Sequence, residues 1–225
     1  MPAARALAEI AAAAAPAGLA PLGALHPTAE DAAPPGTGTL VLLGPEWPRF
    51  WAVFAASPEA SDGRTDPLDR WSRRVIGGLA RRLGAAPLFP FGGPPWAPFT
   101  AWARRSGEAW ASPVGLLVHR RLGLFVSYRG ALALPGRLAL PPPAAAPCDG
   151  CAAPCRSACP VGALGTGCYE VAACHGFLDT APGRACLERG CAVRRACPVG
   201  GALRPEAQSA FHMTDFHGRQ AGCDG

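Results

Sequence analysis

Residues 148–160 read Cys148-Asp-Gly-Cys151-Ala-Ala-Pro-Cys155-Arg-Ser-Ala-Cys159-Pro160, so four cysteines follow one another closely and a proline comes directly after the last. The end of this stretch recurs later in the chain, because Ala158-Cys-Pro-Val-Gly-Ala-Leu164 is nearly repeated as Ala196-Cys-Pro-Val-Gly-Gly-Ala-Leu203. All ten cysteines of the 225-residue chain lie between Cys148 and Cys223. Cysteine chemistry and an internal repeat therefore organise the C-terminal part.

The spacing of the first four cysteines is one residue longer than the bacterial ferredoxin run Cys-x2-Cys-x2-Cys-x3-Cys-Pro. In two-cluster ferredoxins the fourth cysteine of each run binds the other cluster. A proline after that cysteine helps to turn the chain away from its own site. The pattern predicts two [4Fe-4S] clusters with crossed ligands. One set is Cys148, Cys151, Cys155 and Cys197, and the other is Cys159, Cys174, Cys186 and Cys191.

The ligand assignment leaves alternatives open. Cys168 and Cys223 are not assigned as ligands and are expected to be ordinary thiols. Cys168 competes with Cys174 for the role of cluster ligand, because both lie between the two repeats. The gaps Cys186-x4-Cys191-x5-Cys197 are looser than the ferredoxin spacing, so a single cluster with a degenerate second half is a rival interpretation.

Two other cysteine chemistries are also open. Disulfides suit cysteine-rich secreted chains, but a cysteine-free N-terminal domain and the lack of a convincing signal peptide count against them. Structural zinc accepts thiolates, and His175, His212 or His217 could replace one of them. Zinc, however, gives no reason for the repeated Cys-Pro-Val-Gly segments.

The chain before Cys148 predicts a mixed α+β fold. Apolar runs between turn residues predict strands, and residues three or four apart on one side predict helices. The clearest helix runs from Asp66-Pro67 to Gly84, with a buried stripe of Leu68, Trp71, Val75, Leu79 and Leu83. Other predicted helices are an N-terminal one, 47–56 and 99–110. The predicted strands are 18–25, 39–44, the start of 85–96, and a hairpin of 114–119 with 124–134.

Two domains are expected, residues 1–140 and 141–225, with the proline-rich stretch Pro135–Pro147 as a stiff linker. The formal net charge of +5 is mild and does not demand a nucleic-acid partner. No run approaches the roughly 20 apolar residues that span a bilayer. Glu9 interrupts the only stretch that resembles a secretory signal, so a cytoplasmic protein is expected.

Two parts of the chain resemble known families. The region Cys148–Leu203, including the isolated cysteine in Ala173-Cys-His-Gly-Phe-Leu178, resembles the cluster domain of epoxyqueuosine reductases and related cobalamin-dependent reductases. The preceding part resembles a reduced CblC-type cobalamin-processing domain. This second resemblance is carried by Thr39-Leu-Val-Leu-Leu, Thr65-Asp-Pro-Leu-Asp69 and the stretch His119–Gly136.

These resemblances imply a flavin-nitroreductase-like α/β sandwich adapted to hold a corrinoid, followed by a small ferredoxin-like domain with two clusters. They imply that the clusters deliver electrons to a bound cobalamin, with a ferredoxin or flavodoxin as donor. Low-potential clusters are chemically suited to making Co(I). The segment Phe91-Gly-Gly-Pro94 lacks the acidic proton donor of epoxyqueuosine reductases, and the long C-terminal part of CblC proteins is largely missing.

Arg129 and His119 are the candidate cofactor-binding residues outside the cysteines. A charged Arg129 on an apolar strand needs an anionic or polar partner, either a corrin amide or phosphate or a structural salt bridge. His119 lies at the predicted hairpin turn, where it would be solvated or would mark the entrance to an anionic ligand site. The leading hypothesis is an iron–sulfur oxidoreductase that acts on a corrinoid or on a substrate beside one. A dedicated electron carrier and a tRNA-modifying reductase are the alternatives.

Overall fold

The computed structural model describes residues 7–165, 168–200 and 206–218. The chain is mixed α+β and divides into two compact units. The first unit consists of Met1–Ala109 and Ser127–Ala144, and the second of Trp110–Val126 and Ala145–Gly225. The sequence-based boundary at residue 140 assigned Trp110–Val126 to the first domain, whereas the contacts of this segment are with the cysteine-rich part.

In chain order, the helices of the described residues are α1 (Leu7–Ala14), α2 (Arg49–Ala55), α3 (Pro58–Ser61), α4 (Pro67–Leu83), α5 (Phe99–Arg105), α6 (Val171–Leu178), α7 (Arg184–Arg189), α8 (Ala192–Arg195) and α9 (Glu206–Gly218). The strands are β1 (Leu19–Leu25), β2 (Thr39–Pro45), β3 (Ala86–Leu88), β4 (Ala109–Ala111), β5 (Leu117–His119) and β6 (Gly130–Leu134). None of the helices within these ranges is long and apolar enough to cross a membrane.

A four-stranded antiparallel sheet, in the order β1-β2-β6-β3, forms the centre of the first unit. All seven residues of β2 are buried, because β2 lies between two partner strands. A strand in that position reads as a continuous apolar run, and Thr39-Leu-Val-Leu-Leu is such a run. The predicted strand at residues 39–44 is confirmed.

Helix α4 packs the largest aromatic residue of its stripe into the first unit. Proline at the first turn and Gly84, in the left-handed conformation, bound the helix as predicted. The Trp71 ring meets the Phe50 ring edge-on at a centroid distance of 5.4 Å. Ile76 is fully buried, whereas Val75, predicted for the stripe, is only partly buried. The face is therefore rotated slightly from the one predicted.

The predicted hairpin between residues 114 and 134 is wrong. Strand β5 pairs with β4, whereas β6 pairs with β2 and β3 in the first unit. Only an isolated bridge, His119 to Gly123, remains of the expected turn, and residues 124–129 form no strand. The apolar residues of 124–134 could satisfy any buried sheet position, and pairing with the fully buried β2 is the arrangement formed.

The proline-rich stretch after β6 is not simply a linker. Residues up to Ala144 belong to the first unit. The Leu138 backbone N–H donates to the Thr39 hydroxyl at 2.9 Å, and the Leu138 carbonyl lies 2.9 Å from His26 Nε2. Leu138 therefore connects this stretch to the first residue of β2 and to His26.

Candidate metal centre: two cysteine-lined cavities

The first cysteine run is held in tight turns rather than in regular secondary structure. The Cys151 N–H donates to the Cys148 carbonyl at 3.1 Å, and Gly150 between them adopts a positive φ of 74°. A short 3-10 helix, Pro154–Ser157, then carries Cys155 into the interior. Turns of this kind point successive side chains to one side, so three nearby sulfurs can face a common space.

These three cysteines line one cavity together with Cys197. The empty space of cavity A, including the part open to solvent, is about 350 Å³, and its other walls are mostly apolar. Cys155 is buried, and the other three sulfur-bearing residues are partly buried. The residues lining cavity A are Ser112, Pro113, Val118, Leu124, Pro147, Cys148, Cys151, Ala153, Pro154, Cys155, Cys197, Pro198 and Val199.

A second cavity of similar size is lined by the remaining predicted ligands. The empty space of cavity B, including the part open to solvent, is also about 350 Å³. Cavity B is lined by Cys159, with Cys174 from α6, Cys186 from α7 and Cys191 at the start of α8. The lining residues of cavity B are Cys159, Pro160, Val161, Ala163, Leu164, Tyr169, Cys174, Phe177, Leu178, Cys186, Cys191, Ala192, Val193 and Met213.

The fourth cysteine of each run thus faces the other run's cavity. Cys159, the last cysteine of the first run, lines cavity B and not the cavity of Cys148, Cys151 and Cys155. Cys197, the last cysteine of the second run, lines cavity A. The glycines of the two Cys-Pro-Val-Gly segments, Gly162 and Gly200, both adopt a positive φ, 65° and 70° respectively. The eight cysteines line the two cavities in the same two sets that the spacing predicted as cluster ligands.

The thiols within each set affect one another electrostatically. Burial is the main cause that raises the pKa of Cys148, and negative charge on Cys151, Cys155 and Cys197 raises it further. Burial likewise raises the pKa of Cys174, with further contributions from Cys191, Cys159 and Cys186. Four thiolates confined in one apolar cavity repel each other, so a bound cation would stabilise them.

Among the residues that the structure describes, no group of three or more His, Cys, Asp or Glu side chains is placed so that it could hold a metal ion. A mononuclear zinc site gathers four ligands around one ion. A [4Fe-4S] cluster is instead held by four cysteine thiolates placed around a larger inorganic core. The described cysteines, Cys148 to Cys197, are all free thiols.

The remaining cysteines lie apart from both cavities or outside the described residues. Cys168 is exposed and lines neither cavity, whereas its competitor Cys174 lines cavity B. Cys223 falls outside the part of the chain that the structure describes, as does the end of the second repeat at residues 201–203.

Arg129 and His119, the other predicted site residues, have local partners. Arg129 precedes β6, donates to the Asp69 carboxylate and the Ser72 hydroxyl, and lies 5.4 Å from the centroid of the Phe91 ring. Its partner is therefore the structural salt bridge of the two alternatives. His119 is 1% exposed, so the solvated role is wrong. Its Nδ1 accepts hydrogen bonds from the backbone N–H groups at residues 121 and 122, which organises the turn.

Sequence reasoning missed three residues that lie near the cysteines of the two sets, of which Tyr169 lines a cavity. Gly123 approaches the segment that carries Cys197 so closely that a Cβ there would lie 2.9 Å from the Cys197 sulfur. Tyr169 lines cavity B beside Cys174, and the guanidinium of Arg194, three residues after Cys191, donates to the Leu124 carbonyl. A glycine within an apolar run signals a turn, but no local pattern reveals what that turn packs against.

Comparison with known protein families, characterised proteins and solved structures finds no match to this chain.

Proposed function

We propose that the second unit binds two [4Fe-4S] clusters, one in each cavity, and that the protein is an iron–sulfur redox protein. The observation that carries this proposal is the paired arrangement of four cysteines around each of two similar cavities. In each case four cysteines are spaced around one shared pocket, part of which is open to solvent. Such spacing suits a polynuclear core, in which the four thiolates lie around the core.

The surroundings of the sulfurs fit electron transfer. Buried apolar side chains, Val118 and Leu124 at cavity A and Leu178 and Val193 at cavity B, line the cavities beside the cysteines. A low-polarity environment and restricted solvent access are among the factors that set cluster potentials. When bound, the clusters would supply one-electron chemistry, and the chain's own residues hold and shield them.

We further propose that these electrons serve the reduction of a corrinoid, or of a substrate beside one, at a CblC-like, nitroreductase-like first unit. The family resemblances motivate this step, and the α+β first unit with its antiparallel sheet is compatible with it. A ferredoxin or flavodoxin would be the donor, in the cytoplasm. A dedicated electron carrier is the second candidate. It is favoured because Arg129 forms a salt bridge with Asp69 and so is not open to an anionic ligand.

Anaerobic iron and sulfide analysis of the full chain tests the cluster proposal. Two clusters require about eight irons and about eight sulfides per chain. Cys197→Ser should lower both values by about half, because it removes one ligand of cavity A only, whereas Cys168→Ser should leave them unchanged. Absence of iron and sulfide after reconstitution, or equal effects of the two substitutions, would refute the proposal.

Cob(II)alamin titration then separates the two candidate functions. A change in the absorption or EPR spectrum of cob(II)alamin on addition of the reconstituted protein is expected for the corrinoid reductase. Cluster redox activity without any change in the cobalamin spectrum would support the electron carrier instead.

A further inference from the structure

Ser112 differs from the other residues that line cavity A. Among the described residues around this cavity, it alone carries a side-chain oxygen or nitrogen, since the rest are cysteines, prolines and apolar residues. Ser112 is 8% exposed. Its hydroxyl oxygen is buried and has no hydrogen-bond partner among the residues that the structure describes. A buried hydroxyl without a partner is unfavourable, so its presence in a cavity wall calls for a physical reason.

The turn between β4 and β5 holds Ser112 in place through its backbone. The Ser112 N–H donates to the Leu116 carbonyl at 2.9 Å, and the Gly115 N–H donates to the Ser112 carbonyl at 3.0 Å. Pro113, with its restricted φ, follows directly and lines the same cavity. Serine hydroxyls in turns often bond to nearby backbone groups. The Ser112 hydroxyl forms no such bond within the described residues, so the turn does not account for it.

The sulfurs of cavity A do not satisfy this hydroxyl either. The four cysteines line the cavity together with Ser112, yet none of them accepts a hydrogen bond from it. The missing acceptor would therefore be an atom that occupies the cavity. In the proposed function the occupant is a [4Fe-4S] cluster, whose sulfurs accept hydrogen bonds.

We infer that the Ser112 hydroxyl donates a hydrogen bond to an inorganic sulfide of the cluster in cavity A. This inference rests on the proposed function. Reduction adds negative charge to the cluster, and a hydrogen bond becomes stronger as its acceptor gains charge. Ser112 therefore stabilises the reduced cluster more than the oxidised one and raises its reduction potential. Ser112 itself binds no iron.

Redox titration of the anaerobically reconstituted full chain, followed by EPR, tests the inference. Ser112→Ala removes only the hydroxyl oxygen. It should shift the reduction equilibrium of one cluster about tenfold toward the oxidised form, which corresponds to a potential lower by about 59 mV. The cluster that responds should be the one missing from Cys197→Ser, which lacks a ligand of cavity A.

Pulsed EPR gives a second readout that reports on the donor itself. The reduced protein in D2O should show deuteron coupling to the cavity A cluster, and Ser112→Ala should weaken this coupling. In the metal-free protein, Ser112→Ala should not speed hydrogen exchange in peptides from residues 110–126, because the hydroxyl has no partner among the described residues to lose. Faster exchange would show that the hydroxyl bonds to the protein, and would overturn the inference.

Ser127→Ala is the matched control. The Ser127 hydroxyl is also buried and has no partner among the described residues, but Ser127 belongs to the first unit and lines neither cavity. This substitution should leave both potentials unchanged. The inference is overturned if Ser112→Ala leaves both potentials and the deuteron coupling unchanged, or moves the potential of the cluster that persists in Cys197→Ser. A full chain that takes up no iron and sulfide would instead overturn the proposed function, and the inference with it.

Discussion

Gly123 is the position at which a single methyl group should do most damage to the second unit. Its φ of +54° lies in the left-handed region. A Cβ at this position would lie 1.9 Å from the Val199 carbonyl oxygen and 2.9 Å from the Cys197 sulfur. The first of these atoms belongs to the backbone, so the clash cannot be relieved by a side-chain rotation. Gly123→Ala must therefore separate the turn from the segment that supplies Cys197.

The expected cost has two parts. An L-residue in the left-handed region loses about 1–2 kcal/mol. Forcing an extra methyl group into a closely packed contact costs about 1–3 kcal/mol more. We expect Gly123→Ala to destabilise this packing by about 2–5 kcal/mol in total.

Gly115→Ala is the matched control. Gly115 also belongs to the second unit and has a φ of +76°, but beyond its chain neighbours no atom of the described residues lies within 4 Å of the point that a Cβ would occupy there. It should therefore show the backbone cost alone. The change in unfolded-chain entropy on replacing glycine by alanine is common to both variants and cancels. Their difference, about 1–3 kcal/mol, isolates the steric contact.

Hydrogen exchange of the metal-free protein, read by mass spectrometry on peptides from residues 110–126, measures the free energy of local opening. Gly123→Ala should speed exchange in these peptides well beyond Gly115→Ala. After reconstitution, Gly123→Ala should also retain less iron, because Cys197 is displaced. Equal exchange rates in the two variants would show that the close approach of Gly123 to Val199 is not present in solution.

Three further outcomes are expected in the first unit. The pKa of Glu59 is lowered from 4.5 to about 2, chiefly by its hydrogen bonds to Arg74. A carboxyl group whose pKa is lower in the folded protein stabilises the fold at pH values above its unfolded pKa. This stabilisation is lost as the pH falls through the folded pKa. In urea titrations at neutral pH, the free energy of unfolding should thus be higher for the wild type than for Glu59→Gln. The two values should converge as the pH falls from 4.5 to 2. A difference in free energy that does not change with pH would contradict this. Asp69→Ala leaves the Arg129 guanidinium, 12% exposed, without its carboxylate and should cost about 3–5 kcal/mol in the same assay. A loss of stability no larger than that of an exposed ion pair would argue against a buried pair between Arg129 and Asp69. Trp71→Ala should cost about 3–5 kcal/mol by opening a cavity beside Phe50, and a cost below about 1 kcal/mol would show that the site refills.

Features encoded by neighbouring residues could be predicted from the sequence. The α4 boundaries follow from a proline at its first turn and Gly84 after its end, and the buried β2 follows from an unbroken apolar run. The ligand sets predicted from the cysteine spacing are the sets that line cavities A and B. That these cysteines bind clusters stays a prediction, because thiol spacing specifies where sulfurs can meet and not what they hold.

Long-range pairing could not be predicted in the same way. An apolar run such as Gly130–Leu134 suits any buried sheet position, so its composition does not reveal that it pairs with β2 rather than with β5. The burial of His119 and the ion pair of Arg129 with Asp69 depend on that choice. Local sequence therefore determined the elements and the cysteine sets, whereas tertiary structure decided the partners. The physical reason is that backbone propensity and spacing act over a few residues, while packing selects among distant surfaces of similar chemistry.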